Sequence, residues 1–254
     1  MPYGVDLSQI PQGGRVNLSN RFGESLRGWS PPDRPGRSQM QGRFCLLEPL
    51  GADRHAALLF DAYAGHDAVW DYLPYGPFPS AAPYERWVRA VQDQEDPMFF
   101  AIYDKDATSW GGVASYLRIA PEAGSIEVGH INLAPRLQAT RAATEAMYLM
   151  MRWAFDAGYR RYEWKCDALN IPSRRAAQRL GFSYEGIFRQ ATVVKGRNRD
   201  TAWFAVIDKE WPGLQSAFET WLDPRNFDAG GRQKQSLSDL TAPVRVSADP
   251  ALGG

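Results

Sequence analysis

An α/β fold, a mixed β-sheet with helices on both faces, is predicted for residues 41–224 from three observations. Short apolar runs of strand length alternate with stretches whose apolar residues recur at helical spacing. The breaks between them carry the expected punctuation, glycine after helices and proline after strands. Composition agrees: 44% hydrophobic and 23% charged residues in a 254-residue chain make an ordinary globular mix with enough length for a full core.

The elements follow in order. RFCLLEPL (43–50) is a strand that stops at Pro49. DRHAALLFDAYAG (53–65) is amphipathic and ends at Gly65, a natural helix stop. PYERWVRAVQDQ (83–94) sets Trp87, Val88 and Val91 on one side of a second helix. MFFAIYD (98–104) and GGVASYLRIA (111–120) pair as a hairpin, and SIEVGHINLA (125–134) is a strand ended by Pro135. The spacing of Ala143, Met147, Met150, Met151 and Ala154 predicts a long helix over 140–157, closed by Gly158. RRYEWKCDAL (160–169) is the next strand. PSRRAAQRLG (172–181) is a helix with Pro in its first turn and Gly at its end. FSYEGIFRQATVV and TAWFAVID form a hairpin around KGRNRD (195–200), and LQSAFETWL (214–222) is a last short helix. Residues 1–40 and 225–254 are rich in Gly, Pro and polar residues and read as an N-terminal extension and a C-terminal tail.

Several functions lack support. Lys plus Arg equals Asp plus Glu at 29 each, so no bulk charge argues for nucleic acid. The N-terminus has no basic start followed by an apolar core, and no run of ~18 apolar residues predicts a membrane span. Cys45 and Cys166 read as reduced thiols of a cytoplasmic protein. Three histidines in unrelated segments give no metal-ligand spacing. No nucleophile elbow, P-loop or dinucleotide fingerprint is present.

The positive signal is a pair of strand-to-helix junctions, at 134–140 and 169–172. Helix N-termini there point free N–H groups outwards at strand carboxyl ends, where open α/β sheets bind ligands. Two such junctions suit an elongated anion.

At the second junction NIPSRRAAQRLGF (170–182) resembles motif B of the GNAT acetyltransferase superfamily. Asn170, Ser173, the small Ala177 and Leu180-Gly181-Phe182 stand at its offsets. At the first, QATRAA (138–143) resembles that superfamily's pyrophosphate loop, with Arg141 at a glycine position. The resemblance covers about 43–212, and FRQ followed by RDTAWFAVID is most similar to the RimJ/RimL-type ribosomal-protein N-acetyltransferases.

The resemblance implies a GNAT-like sheet with splayed strands and acetyl transfer from acetyl-CoA, as co-substrate and without a metal, to a primary amine by direct attack. The acceptor is a small molecule or a protein N-terminus. Gln138, Ala139, Thr140, Arg141, Ala142 and Ala143 are expected to meet the pyrophosphate, and Asn170 the pantetheine arm. Ser173 is expected near the sulfur as proton donor to the thiolate. Backbone N–H groups near Leu133 or Ala134 would polarise the thioester carbonyl. Arg174 is a cofactor candidate with Ala177, and Arg175 and Arg179 share a helix face toward the phosphates. Glu127 is the candidate base that relays the amine proton through water.

Each residue also has a plainer reading. Asn170 caps a helix equally well. Ser173 is an ordinary first-turn residue, and Glu127 an ordinary strand carboxylate. His130 faces away from Glu127 in a regular strand unless a bulge intervenes. Tyr184 reads as packing and Cys166 as a buried small residue. WDYLPYGPF (70–78) either lines the acceptor site or is anchored by its own aromatics. The glycine-less loop keeps a second function open, a non-catalytic acyl-CoA-binding or interaction module. Acceptor identity, acyl length and oligomeric state are written in none of these motifs.

Overall fold

Eight strands of the computed structural model form one sheet, in the order β1-β2-β3-β4-β5-β6-β8-β7. They are Met40–Gln41, Cys45–Pro49, Met98–Asp104, Ser109–Ala120, Ser125–Leu133, Arg161–Asp167, Ser183–Val194 and Arg197–Ile207, numbered β1 to β8 along the chain. All neighbours are antiparallel except β5 and β6, joined in parallel through helix α3. The helices are α1 (Ala57–Tyr63), α2 (Ala81–Val91), α3 (Arg141–Asp156), α4 (Ile171–Arg179), α5 (Trp211–Leu222) and α6 (Leu237–Thr241). The structure describes residues 23–253, in two compact units that divide after Ser30. Of the first unit, residues 23–30 contain a turn closed by the Trp29 N–H on the Leu26 carbonyl. Most of the predicted N-terminal extension, residues 1–22, lies outside the described residues.

The continuous apolar run of β3 has a direct cause. Both sheet faces are covered, so neither parity of side chain meets water. Met98, Phe100 and Ile102 join the core under α3, with Ala142, Met147, Met150 and Ala154. Phe99 and Ala101 join the opposite core, with Leu59, Tyr63, Tyr84 and Val88 of α1 and α2.

Two segments differ from the sequence reading. KGRNRD is not a six-residue connection: Lys195 and Gly196 alone form the turn, with φ of 49° and 73°, and Arg197 onward is strand. Two positive φ values match the twist of a tight hairpin. The hairpin end stands clear of the core, so no apolar alternation marks it. Residues 225–253 are fastened to the main unit. Leu237 is fully buried, Thr241 donates to the Arg179 carbonyl at 3.1 Å, and Arg174 pairs with Asp249 at 2.6 Å. Specific polar contacts hold this segment, so its composition reads as a linker. Among the described residues no helix is long and apolar enough to cross a membrane.

Candidate active site

The sheet opens at its centre. β5 and β6 pair only from Ser125–Arg161 to Val128–Trp164, after which the strands part. A bulge directs the parting. The β4–β5 register jumps from Ser115–Gly129 to Val113–Asn132, so β5 carries an extra residue against β4. His130 carries the strain at φ 50°, a left-handed conformation rare outside glycine. Cavities of ≈ 1040 and ≈ 1030 Å³ flank the gap and share Ile131, Gln138, Trp164, Asn170 and Ser173.

One cavity lies at the N-termini of α3 and α4. Thr140 caps α3, its Oγ1 accepting from the Ala143 N–H at 3.1 Å. Among the described residues no acceptor in the chain meets the N–H groups of Arg141 and Ala142. Arg141 opens the helix with helical backbone, and the left-handed residue of the loop is Ala139, at φ 59°. A glycine at 141 is therefore not required by backbone conformation. The Arg141 guanidinium pairs with Asp106 at 2.8 Å and lies over the Phe44 ring, 4.5 Å from its centroid. Arg136, Arg175 and Arg179 line the same cavity against Asp104 and Asp106. Asn132, 2% exposed, presents a buried Nδ2 with no acceptor there. An extended ligand with phosphates fits this donor set: free N–H groups and arginines at one end, an orphaned amide beside the gap.

Asn170 caps α4 by accepting from the Ser173 N–H at 3.1 Å, and it also lines both cavities. The capping reading holds and leaves the residue open to both cavities. The Ser173 hydroxyl accepts from Trp164 Nε1 at 3.0 Å and lies against the Cys166 thiol. Gln138 lines both cavities and donates to the Leu133 carbonyl at 2.9 Å. Leu133 and Ala143 line the donor side.

Three expectations are corrected. Arg174 points away from the gap, 4% exposed, its guanidinium held by Asp249 and by the Ala168 carbonyl at 2.7 Å. Ala177 is fully buried in the core, where it sets helix-to-sheet distance and touches no cavity. The Ala134 N–H donates to the Gly111 carbonyl at 2.8 Å and is not available to a thioester.

The opposite cavity is lined by the bulge, the inner face of the β6-β8-β7 sheet and the loop after α1. Glu127 is buried, with Arg118 Nη1 at 2.6 Å and Lys165 Nζ at 2.8 Å. Burial pushes its carboxyl up in pKa against the pull of these two cations. Lys165 also holds Glu163 at 2.6 Å and stands 3.8 Å over the Trp203 ring. The bulge brings His130 onto this cavity beside Glu127. Its Nδ1 meets the Tyr75 hydroxyl at 3.0 Å. Burial first, then Arg118 and Arg199, lower its pKa to about 4, so the ring is neutral at pH 7. Burial also raises the Cys166 thiol to about 11, which removes it as a nucleophile. The aromatic loop is anchored by its own rings and also borders this cavity. Trp70 packs on Phe78 and Tyr63 at 5.2 and 5.0 Å, while Tyr72, Leu73 and Pro74 line the cavity.

Arg118, Lys165, Arg199, Trp203 and Asn132 line these cavities and no sequence motif marks them. A lysine inside the apolar strand YEWKCD is an available signal, because a buried ammonium needs a carboxylate partner. Arg199 gives none while KGRNRD reads as a loop.

The Arg141 loop has a measurable consequence. Arg141→Gly is expected to leave acetyl-CoA affinity near normal at a helix cost of about 1 kcal/mol. Arg141→Glu sets a carboxylate against both Asp106 and an incoming phosphate and is expected to weaken binding further. Calorimetric titration gives the order; equal affinities in all three proteins would place the phosphates elsewhere.

Comparison with known proteins agrees with this geometry. The Acetyltransferase (GNAT) domain profile matches residues 45–183. A GCN5-related N-acetyltransferase from Brucella melitensis is 45% identical, with TM-score 0.83, over 85% of this chain and 100% of that one. A probable GNAT-family acetyltransferase from Chromobacterium violaceum ATCC 12472 is 41% identical, with TM-score 0.71, over 75% and 96%. A Bacillus subtilis (strain 168) protein provisionally named ribosomal N-acetyltransferase YdaF is 26% identical over 66% of this chain and 92% of its own. With an unzipped parallel pair, a capped helix whose first N–H groups are left open and these matches, the chain belongs to the GNAT acetyltransferase family and is an acetyl-CoA-dependent N-acetyltransferase.

Proposed function

We propose that the chain acetylates the primary amine of a small molecule by direct attack on the thioester of acetyl-CoA. The observation that carries this reading is the pair of cavities meeting at Ile131, Trp164, Asn170 and Ser173. A donor on the α3 side and an acceptor on the His130 side would meet in the gap, and much of the acceleration is proximity. The amine nitrogen bonds to the carbonyl carbon and the C–S bond breaks. The Ser173 hydroxyl supplies a proton to the departing thiolate and regains one from solvent, while Glu127 takes the amine proton through water and releases it to solvent. The Asn132 amide and the helix N-termini hold the donor.

Two contacts support a small acceptor over a protein N-terminus. Lys195 Nζ on the β7–β8 hairpin donates to the Trp70 carbonyl at 2.8 Å. The Tyr72 hydroxyl donates to the Leu169 carbonyl at 3.2 Å. Together they tie the aromatic loop to the β7–β8 turn and to the turn after β6, which restricts an extended polypeptide. Arg141 is helical, so the missing glycine no longer argues for a non-catalytic module. Two buried, unbridged thiols support a reducing, cytoplasmic setting.

Release of free thiol from acetyl-CoA, screened against small amines, aminoacyl analogues and peptides, tests the reading. Turnover with small amines is expected; acetyl-CoA binding without turnover of any amine would sink it. Glu127→Gln is expected to lower kcat on the order of 10²-fold. The loss should be greatest below the amine pKa and above that of Glu127, where the amine must shed a proton and the carboxylate can still take it. A pH–rate profile unchanged in this variant would assign Glu127 to holding Arg118 and Lys165.

A further inference from the structure

The acceptor cavity contains donors with nothing to donate to. Among the described residues Arg199 makes no side-chain hydrogen bond or ion pair, and its Nε is buried. Trp203 Nε1 is likewise buried without an acceptor. Both residues lie on β8 with Thr201 between them, and alternate strand residues share a face, so all three look into the cavity. A buried guanidinium nitrogen without a partner is costly, and the cost is relieved by an anionic acceptor.

The cavity's own carboxylates do not supply that acceptor. Glu127 is held by Arg118 and Lys165. Asp167 accepts from the Leu169 N–H at 2.9 Å, and Asp67 is exposed at the rim. Asp200, next to Arg199, takes the Gln190 N–H at 2.7 Å and the Asn198 amide at 3.0 Å. Arg199 shares the lining of this cavity with His130 and Cys166.

We infer that the acceptor is zwitterionic, a primary amine with a carboxylate or phosphate a few bonds away, and that Arg199 binds this anionic group. The inference rests on the transfer reading above and names its substrate class. Arginine suits the role because its planar fork meets two oxygens of a carboxylate or phosphate at once. Trp203 Nε1 offers a further, neutral donor on the same face. Arg118 lines the same cavity but is already committed to Glu127.

The test is a thiol-release comparison of same-amine pairs. α-, β- and γ-Amino acids are set against their methyl esters, and aminoalkyl phosphates against the matching amino alcohols, at a pH above the amine pKa of each pair. The wild-type protein is expected to prefer the anionic member by roughly 10- to 100-fold in kcat/KM, the range of a charge-assisted contact. The carboxylate and phosphate arms show which group the site takes. Arg199→Ala should collapse the ratio toward one, and Arg199→Lys should keep part of it, which guards against a folding defect. Arg197→Ala, exposed on the same hairpin outside the cavity, should leave the ratio as it is. Equal turnover of charged and uncharged amines, or a ratio that survives Arg199→Ala, overturns the anion inference and leaves acetyl transfer intact. No thiol release with any amine overturns the transfer reading and the inference with it.

Discussion

Replacement of Glu145 by alanine is expected to lower unfolding free energy by about 3–5 kcal/mol, from loss of charge-assisted bonds and stranding of their donors. The carboxylate sits on α3, 5% exposed, and reaches the start of β2. It accepts from the N–H groups of Arg43, Phe44 and Cys45 at 2.8, 2.6 and 2.9 Å. These donors lie where the chain turns from β1 into β2. Gly42 is the residue this contact demands, since a Cβ there would lie 2.3 Å from the carboxylate. Alanine at 145 leaves three donors in a partly dry space. Glu145→Gln keeps one carbonyl acceptor and is expected to lose about half as much. Urea denaturation with an unchanged slope separates this from a change in the unfolded state. A loss below ~1 kcal/mol would mean that water replaces the carboxylate.

Glu145 also shows where sequence reasoning stops. It lies inside the helix that the apolar spacing of 140–157 predicts, and the structure places α3 there. Its carboxylate occupies an apolar stripe, in helical phase with Ala142 and Leu149, which signals a buried partner without saying which one. The order and type of the main elements were legible because their apolar periods are local properties. Asn170 and Ser173 stand out because one short motif fixes both positions, and both line the two cavities. The residues that line the cavity proposed for the acceptor come from β4, β6 and β8, distant in sequence and adjacent only through sheet pairing. His130 stayed ambiguous for a related reason: a bulge is a register difference between two strands, and a single strand's sequence does not state its partner's.

Arg174 illustrates the opposite error, a residue correctly singled out and assigned the wrong partner. Arg174→Ala is expected to destabilise the protein by about 3–5 kcal/mol, the usual result of breaking a buried pair from one side. The Asp249 side chain is fully buried, and two guanidinium nitrogens of Arg174 reach it at 2.6 and 2.7 Å. Alanine leaves that carboxylate charged and dry. The C-terminal segment has a less costly escape than global unfolding: it can peel from α4 and carry Asp249 into water. The Ser183 hydroxyl accepts from the Val246 N–H at 3.0 Å, and Gln178 accepts from the Asp249 N–H at 2.8 Å, so both contacts would open together. Asp249→Ala removes the anion instead and leaves a cation that still holds the Ala168 carbonyl. It is expected to cost less, and the double variant less than the sum of the singles. Hydrogen exchange over 244–252 distinguishes peeling from global unfolding: early exchange there in Arg174→Ala, with α3 still protected, shows local release. Additive losses in the double-mutant cycle would show that the two side chains contribute independently, against the pairing described. Because Arg174 also ties α4 to the end of β6, its loss should loosen Asn170 and Ser173. Acetyl-CoA should then bind the variant more weakly although neither ligand-facing side chain has changed.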